Sequence, residues 1–403
     1  MRKRSIVKSL VAMLLTLLLL TQMVSIAAAT PAHKGKPPAP AKWTLMVYIV
    51  GDNNLDEYVP LDIETELAPT GSNSDVSVVA LADRASTATD WTGTLLFYVT
   101  QGMEATPENA TEDWGEANMG DPQTLIDFVR WTQQHYPAEH YALSFWNHGW
   151  SWRPDHSMRD ETDDDTLDQH EIEAVLKKVG PIDVIMYDAC QMGTIENQAT
   201  VRSYSSAIVH SQEWVNWDGI EYELVIPALQ ANPGMSADDL AVVINQSAST
   251  AKERTGSAVA LDGRWDALIE AVDAWAEALI EGLPAYRHRY AGAFHGAQSF
   301  WGDPTARDLY DVAHRVQSWV PDPGIQSASQ AVMDAVEGAV LDEWHIRPYA
   351  DARGISIFLP LREQDLDDPA TPEWNEFEYY RDYLAFARLT QWDEFLDAYI
   401  NSP

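Results

Sequence analysis

The chain has 403 residues, a formal net charge of −36 and a single cysteine. So acidic a surface argues against binding to nucleic acid or anionic membranes and suits cations and basic peptides. One cysteine also excludes an internal disulfide framework.

In chain order, Arg2, Lys3, Arg4 and Lys8 precede a leucine-rich apolar run that closes on Ala27, Ala28 and Ala29. Charged, apolar and small residues in that order predict a cleavable secretory signal over residues 1–29. An uncleaved anchor is the alternative, because residues 9–29 are nearly long enough to span a bilayer. The protein is therefore expected to be secreted, or membrane-tethered if the signal stays. Residues 30–42, TPAHKGKPPAPAK, read as an extended Pro/Lys/Ala-rich linker. Residues 43–403 read as the folded part, long enough to bury a core without staples. From Trp43 onward the only lysines are Lys177, Lys178 and Lys252. A surface rich in acid and poor in lysine suits a salty habitat and serves plain solubility equally well.

Short apolar runs recur at 43–50, 76–82, 141–146, 183–189, 206–210, 257–262 and 354–360. Apolar on both sides and rich in Val and Ile, they predict strands of a sheet covered on both faces. Helical patterns lie between them. Asp121-Pro122 offers an N-cap followed by proline at the first helical position. Asp168 and Glu171 are spaced as a capping pair. Residues 265–280 place Trp265, Leu268, Ile269, Val272, Trp275 and Leu279 on one stripe. The alternation predicts an α/β fold with a mainly parallel sheet flanked by helices on both faces, and a helix-rich C-terminal part.

Ligands of open α/β sheets bind beyond the carboxyl ends of the strands. The run at 141–146 ends in Asn147-His148-Gly149, the run at 183–189 ends in Cys190, and the run at 206–210 ends in Ser211-Gln212-Glu213. A cysteine acts as a nucleophile in its thiolate form, which a nearby imidazole supplies by taking the proton. His148 and Cys190 are thus a candidate dyad if their strands are neighbours. Alone, His148 reads as a loop histidine and Cys190 as a small buried hydrophobe. Gly149, lacking a Cβ, lets its backbone approach a substrate carbonyl; its N–H and that of Cys190 are candidate oxyanion donors.

FWNHGW and MYDACQM resemble the two signature segments of the clostripain family of cysteine peptidases. WTLMVYIVGDNNLD, GEANMGDPQTLIDFVRW, GISIFLP and YLAFARLTQWDEFL resemble further segments of that family, so the likeness covers most of residues 43–398. The resemblance implies a caspase-like fold and endopeptidase activity, with His148 as general base and acid and Cys190 as nucleophile. It implies cleavage after Arg or Lys, with Asp188 and Asp218 lining the pocket for that side chain, although Ile220 stands where the family commonly has an aromatic residue. It implies self-processing between the histidine and the cysteine. Arg159 is the candidate cut in the polar stretch 150–167, because Arg153 precedes a proline. No cofactor is needed for the chemistry. Calcium, which some members require, is a candidate with Asp160 to Asp165 and Asp168 as oxygen donors, yet no defined ligand spacing is visible and the metal residues stay unknown. The expected partners are peptides or proteins with basic residues, not nucleic acid, and not a membrane once the signal is cleaved. Two other readings stay open: an inactive caspase-like binding module, and a transpeptidase using the same dyad.

Overall fold

The apolar run after the linker forms strand β1 (Ala41–Gly51), which starts two residues earlier than its sequence suggests and so takes Ala41 and Lys42 from the linker. The computed structural model describes residues 40–154, 157–217, 219–249, 254–367 and 375–402. The expected signal segment, the rest of the linker and Asp218 lie outside the described residues.

After β1 come helix α1 (Tyr58–Asp62), strands β2 (Val76–Arg84), β3 (Gly93–Tyr98) and β4 (Glu112–Gly115), and helix α2 (Pro122–His135). Strand β5 (Ala138–Trp146) leads through short β6 (Arg159–Asp160) and β7 (Asp165–Thr166) to α3 (Gln169–Val179) and β8 (Val184–Asp188). Helix α4 (Ile195–Val201), β9 (Ala207–His210), α5 (Tyr222–Ala231), α6 (Ala237–Ala248) and β10 (Thr255–Ala260) follow. The last third comprises α7 (Gly263–Gly296), β11 (Ala306–Asp308), α8 (Leu309–Trp319), α9 (Pro323–Ala339), β12 (Val340–His345) and β13 (Ser356–Phe358). It ends with α10 (Glu376–Tyr383), α11 (Ala385–Leu389) and α12 (Trp392–Asn401), and is rich in helix as expected.

Among the described residues, nine strands form one sheet in the order β12-β10-β9-β8-β5-β1-β2-β3-β4. The five central strands β9, β8, β5, β1 and β2 run parallel. Antiparallel strands extend both edges. The residues 354–360 do not join this sheet: β13 pairs instead with β11 in a separate two-stranded ribbon. Along β1, Met46, Tyr48 and Val50 pack into one core, while Leu45, Val47 and Ile49 pack into another. Period-two alternation on a strand buried on both faces explains why the run reads as continuously apolar. One face is covered by α2, α3 and the C-terminal helices, the other by α1, α5 and α6.

The helix signals hold. Asp121 caps α2 by accepting from Gln123 N–H at 2.8 Å. Asp168 and Glu171 form a reciprocal capping box on α3. Such caps contribute about 1 kcal/mol each. The stripe at 265–280 is the first half of the longer α7.

Helix α4 buries Glu196, which accepts from Phe358 N–H at 3.0 Å and from the Tyr380 hydroxyl at 2.9 Å. Burial pushes its carboxyl up to about 7, against those stabilising hydrogen bonds. Burial also pushes Asp308 up to about 7. Each acid keeps its proton in the folded state at pH values where the unfolded chain has lost it. Their contribution to stability is therefore full below about pH 4 and is lost as pH rises toward about 7. A higher melting temperature near pH 5 than near pH 7.5 is expected, with the difference reduced in Glu196→Gln. Calorimetry showing the opposite slope in the wild type would contradict this.

Candidate active site

The pairing of β5 with β8 sets the site. The two strands are adjacent and parallel, with Trp146 opposite Asp188. His148 and Cys190 each lie two residues beyond that pair, so they leave the sheet at matching positions. Both line one cleft of about 680 Å³, together with Gly149, Asp188, Trp214 and Trp217. Cys190 is partly exposed, and its Sγ lies 3.9 Å from the Val215 carbonyl oxygen. The following residue, Gln191, has φ +60°, a left-handed turn that carries the chain sharply away from the strand. Its N–H donates to the Glu213 carbonyl at 3.0 Å.

The histidine is oriented by groups the sequence did not single out. His148 Nε2 lies 2.8 Å from Asn54 Oδ1, a contact that favours the tautomer protonated at Nε2. Asn54 belongs to the turn after β1, and β1 is the other neighbour of β5. The chain turns to opposite sides after these two strands, which opens the crevice expected at such a switch point. Asn147 Oδ1 accepts from His148 N–H and from Asn53 Nδ2, the latter at 3.2 Å. Burial lowers the pKa of His148 below its ordinary value, and Glu161 partly opposes this. The imidazole is therefore neutral and available as a proton acceptor over a wider range than a free histidine.

Gly149 is required by close packing. A Cβ there would lie 2.4 Å from the Cys190 carbonyl oxygen and 2.8 Å from Met192 Sδ. The backbones of the His–Gly and Ala–Cys segments are thus pressed against each other.

Asp188 ends β8 and is 5% exposed. Its Oδ1 accepts from Ile220 N–H at 3.1 Å, while Oδ2 has no donor in hydrogen-bond geometry among the described residues. Gly219, with φ +60°, lets the chain cross over this carboxylate; a Cβ there would come within 2.7 Å of Oδ1. Burial pushes the carboxyl up to about 6, with Ile220 N–H and the Tyr222 hydroxyl pulling it part of the way down. Asp188 lines the cleft as a buried acid whose Oδ2 lacks a donor in hydrogen-bond geometry, and such a group suits a cationic partner. Aromatic rings border the same cleft: Trp217, 60% exposed, stacks on Tyr58 at 5.3 Å, and Trp214 packs on Trp301 at 4.7 Å with Arg254 over its face.

The stretch 150–167 differs from its polar reading. Trp152, Met158 and Leu167 are core residues, Trp152 packing edge-on against Phe358 and Tyr380. Buried Arg153 pairs with Glu376. Among the described residues of this stretch, only 161–164 are exposed. Arg159 lines the cleft, yet its carbonyl accepts from Asn53 Nδ2 at 3.2 Å and Asn147 Nδ2 at 3.0 Å, and its side chain pairs with Asp164. The acidic residues considered for calcium have local partners. Asp168 caps α3, Asp165 accepts from Asn118 at 2.7 Å, and Asp160, opposite Asp165 in the β6–β7 ribbon, is buried. No described helix is long and apolar enough to cross a membrane.

The family model described as the clostripain family matches residues 47–399. Clostripain of Hathewaya histolytica is 28% identical over 231 residues, which is 49% of this chain and 44% of that protein, so the match spans less than half the relative's length. A secreted C11 cysteine protease of Bacteroides thetaiotaomicron in complex with an irreversible peptide inhibitor superposes with a TM-score of 0.65 at 17% identity, over 87% of this chain and 99% of that one. An inactive zymogen C11 protease of Parabacteroides distasonis gives a TM-score of 0.62 at 20% identity, over 88% of this chain and 99% of that one. At these identities the two structures support the fold alone.

The packing at Gly149 is open to a direct check. Gly149→Ala is expected to destabilise the protein by about 1–3 kcal/mol through overpacking. Gly263→Ala, where a Cβ would meet nothing within 4 Å, is expected to stay near neutral. Equal melting temperatures for the two variants would contradict the close packing.

Proposed function

Because the chain belongs to the clostripain family, we propose that it is a secreted cysteine endopeptidase that uses Cys190 and His148 and cleaves after arginine, or lysine. The observation that carries this reading is the register of β5 on β8, which brings His148 and Cys190 to one cleft.

In this reading His148 takes the thiol proton and the Cys190 sulfur attacks the scissile carbonyl carbon. The carbonyl oxygen gains the negative charge and meets the N–H groups of Gly149 and Cys190. The tetrahedral intermediate collapses to a thioester as His148 returns the proton to the leaving amine. Water, deprotonated by the same imidazole, then attacks the thioester, releasing the acid and restoring the thiol. Asn54 is a positioning residue, fixing the ring through Nε2. Asp188 Oδ2 receives the guanidinium or ammonium of the residue before the scissile bond. Asp218, by its place in the sequence, is proposed as its helper. The strongly acidic chain suits basic substrates.

The Arg159–Asp160 bond lies at the rim of the same cleft and stands as the proposed self-processing site. Its carbonyl is held by Asn53 and Asn147, so the loop has to leave that position before the bond reaches Cys190.

Fluorogenic peptides ending in Arg, Lys, Asp or Leu test the reading. Hydrolysis is expected to be fastest after Arg and to fall by about a thousandfold or more in Cys190→Ala. Asp188→Asn is expected to reduce hydrolysis after Arg by about ten- to a hundredfold, the size of a lost hydrogen bond to a charged group. Activity unchanged in Cys190→Ala would overturn the mechanism. A preference for Asp or Leu would overturn only the pocket.

A further inference from the structure

The cleft that holds Cys190 carries a group of donors that the chemistry above does not use. Gln191, Trp214, Arg254 and Gly302 line it together. They come from four segments: the turn after the cysteine, the loop after β9, the residue before β10, and the connection between α7 and β11. Gln191 is 4% exposed, and its Nε2 is buried with no hydrogen-bond partner among the described residues. A Cβ on Gly302 would collide with that nitrogen and with Trp214 Nε1, so both nitrogens crowd the same point of the backbone. The Arg254 guanidinium lies over the Trp214 ring, 5.0 Å from its centre. Amide nitrogen, indole N–H and guanidinium all donate and none accepts. A buried donor without an acceptor carries its desolvation cost until something supplies one.

The donors are held in place by Glu213, which is fully buried. Its Oε1 accepts from Trp214 N–H at 3.0 Å and its Oε2 from Trp301 N–H at 2.6 Å. Arg254 Nη1 stands 3.7 Å from Glu213 Oε1, beyond hydrogen-bond distance, and the Tyr349 hydroxyl lies beside both groups. A guanidinium carries five N–H donors, more than these two neighbours take. Burial, Ile220 N–H and the Tyr222 hydroxyl set the charge state of Asp188, so Arg254 answers Glu213 and leaves Asp188 to another cation.

We propose that Arg254, Gln191 and Trp214 form a subsite for a carboxylate of the substrate, so that the preferred peptide carries an acidic group near the basic residue received by Asp188. The two oxygens of a carboxylate suit a guanidinium fork and the N–H donors beside it. An aliphatic or aromatic side chain would leave Gln191 Nε2 without an acceptor. The carboxylate comes from an Asp or Glu side chain or from the C-terminus of the substrate. Trp214, packed between Trp301 and Arg254, is already ordered, which lowers the cost of binding. The subsite deepens the peptidase reading above and rests on it.

The test uses the full chain carrying Cys190→Ala and fluorescently labelled peptides with one arginine in an alanine background. Each peptide has Glu or Gln at one flanking position and a free or amidated C-terminus. Fluorescence anisotropy is expected to show binding about tenfold or more tighter for Glu than for Gln at one position, the size of a hydrogen bond to a charged group. Arg254→Gln is expected to remove that preference. Trp214→Phe, which keeps a ring but loses the N–H, and Gln191→Glu, which replaces a donor by a repelling carboxylate, are expected to reduce it. The ratio of the two affinities does not change when a variant merely loses folded protein, so a purely structural role would leave it intact. Should Arg254→Gln fail to fold, the other two variants carry the same readout. A preference confined to free C-termini assigns the carboxylate to the end of the substrate. No preference at any position and none for a free terminus, or a preference that survives in all three variants, would overturn the proposal. Hydrolysis after Arg by the wild type decides the peptidase reading separately, because binding to Cys190→Ala involves no cleavage.

Discussion

The parallel hydrogen-bonded pairing of β5 with β8 is the constraint on which the site depends. With Trp146 opposite Asp188, the two residues that follow each strand emerge at the same level of the sheet. Side chains alternate faces along a strand, so a slip of one residue would move every buried side chain of β8 to the wrong core. Ile185 and Tyr187 pack on one face, Val184 and Met186 on the other. Losing one such side chain costs about 2–5 kcal/mol, which makes the correct register far the most stable. The core thereby fixes a relation between His148 and Cys190 that neither loop could fix alone.

The groups around that pair divide the work by burial. Asn54 and Asn147 hold the imidazole loop through hydrogen bonds from the strand ends on either side of the switch point. Asp188 is sunk beneath Gly219 with one oxygen lacking a donor in hydrogen-bond geometry among the described residues, which sets a buried carboxylate against the cleft. Aromatic rings stand at the rim, where large apolar faces suit an extended peptide. The strain of the site sits in the backbone: among the described residues, the non-glycine residues with positive φ are Gln191, just after the cysteine, and Ser151, Met158 and Asp164 in the stretch after the histidine.

Much of this was legible in the sequence, for physical reasons. Strands buried on both faces read as unbroken apolar runs, and the capping signals at Asp121 and Asp168 depend only on local geometry, so both survived folding. Edge strands did not show: β12 is half-buried along its length, and β4 alternates half-buried and exposed residues. Residues 354–360 had strand character but no label for which sheet they join. His148, Gly149 and Cys190 stood out as candidates because each sits at a recognisable strand end, and Asp188 because the family resemblance implied it. Asn54 was missed because its role exists only once β1 lies beside β5; the turn GDNN after the first strand was the available sign. The stretch 150–167 misled because its charged residues outnumber its apolar ones, while Trp152, Met158 and Arg153 are the residues that bury it.

The central claim is that strand register makes Cys190 and His148 one reactive pair. Labelling with a peptidyl-arginine chloromethyl ketone, followed by peptide mass mapping, tests it most directly. One adduct per chain is expected, on Cys190, formed much more slowly in His148→Ala although that variant keeps the wild-type fold by circular dichroism. An adduct elsewhere, or labelling of Cys190 at the same rate without His148, would contradict it.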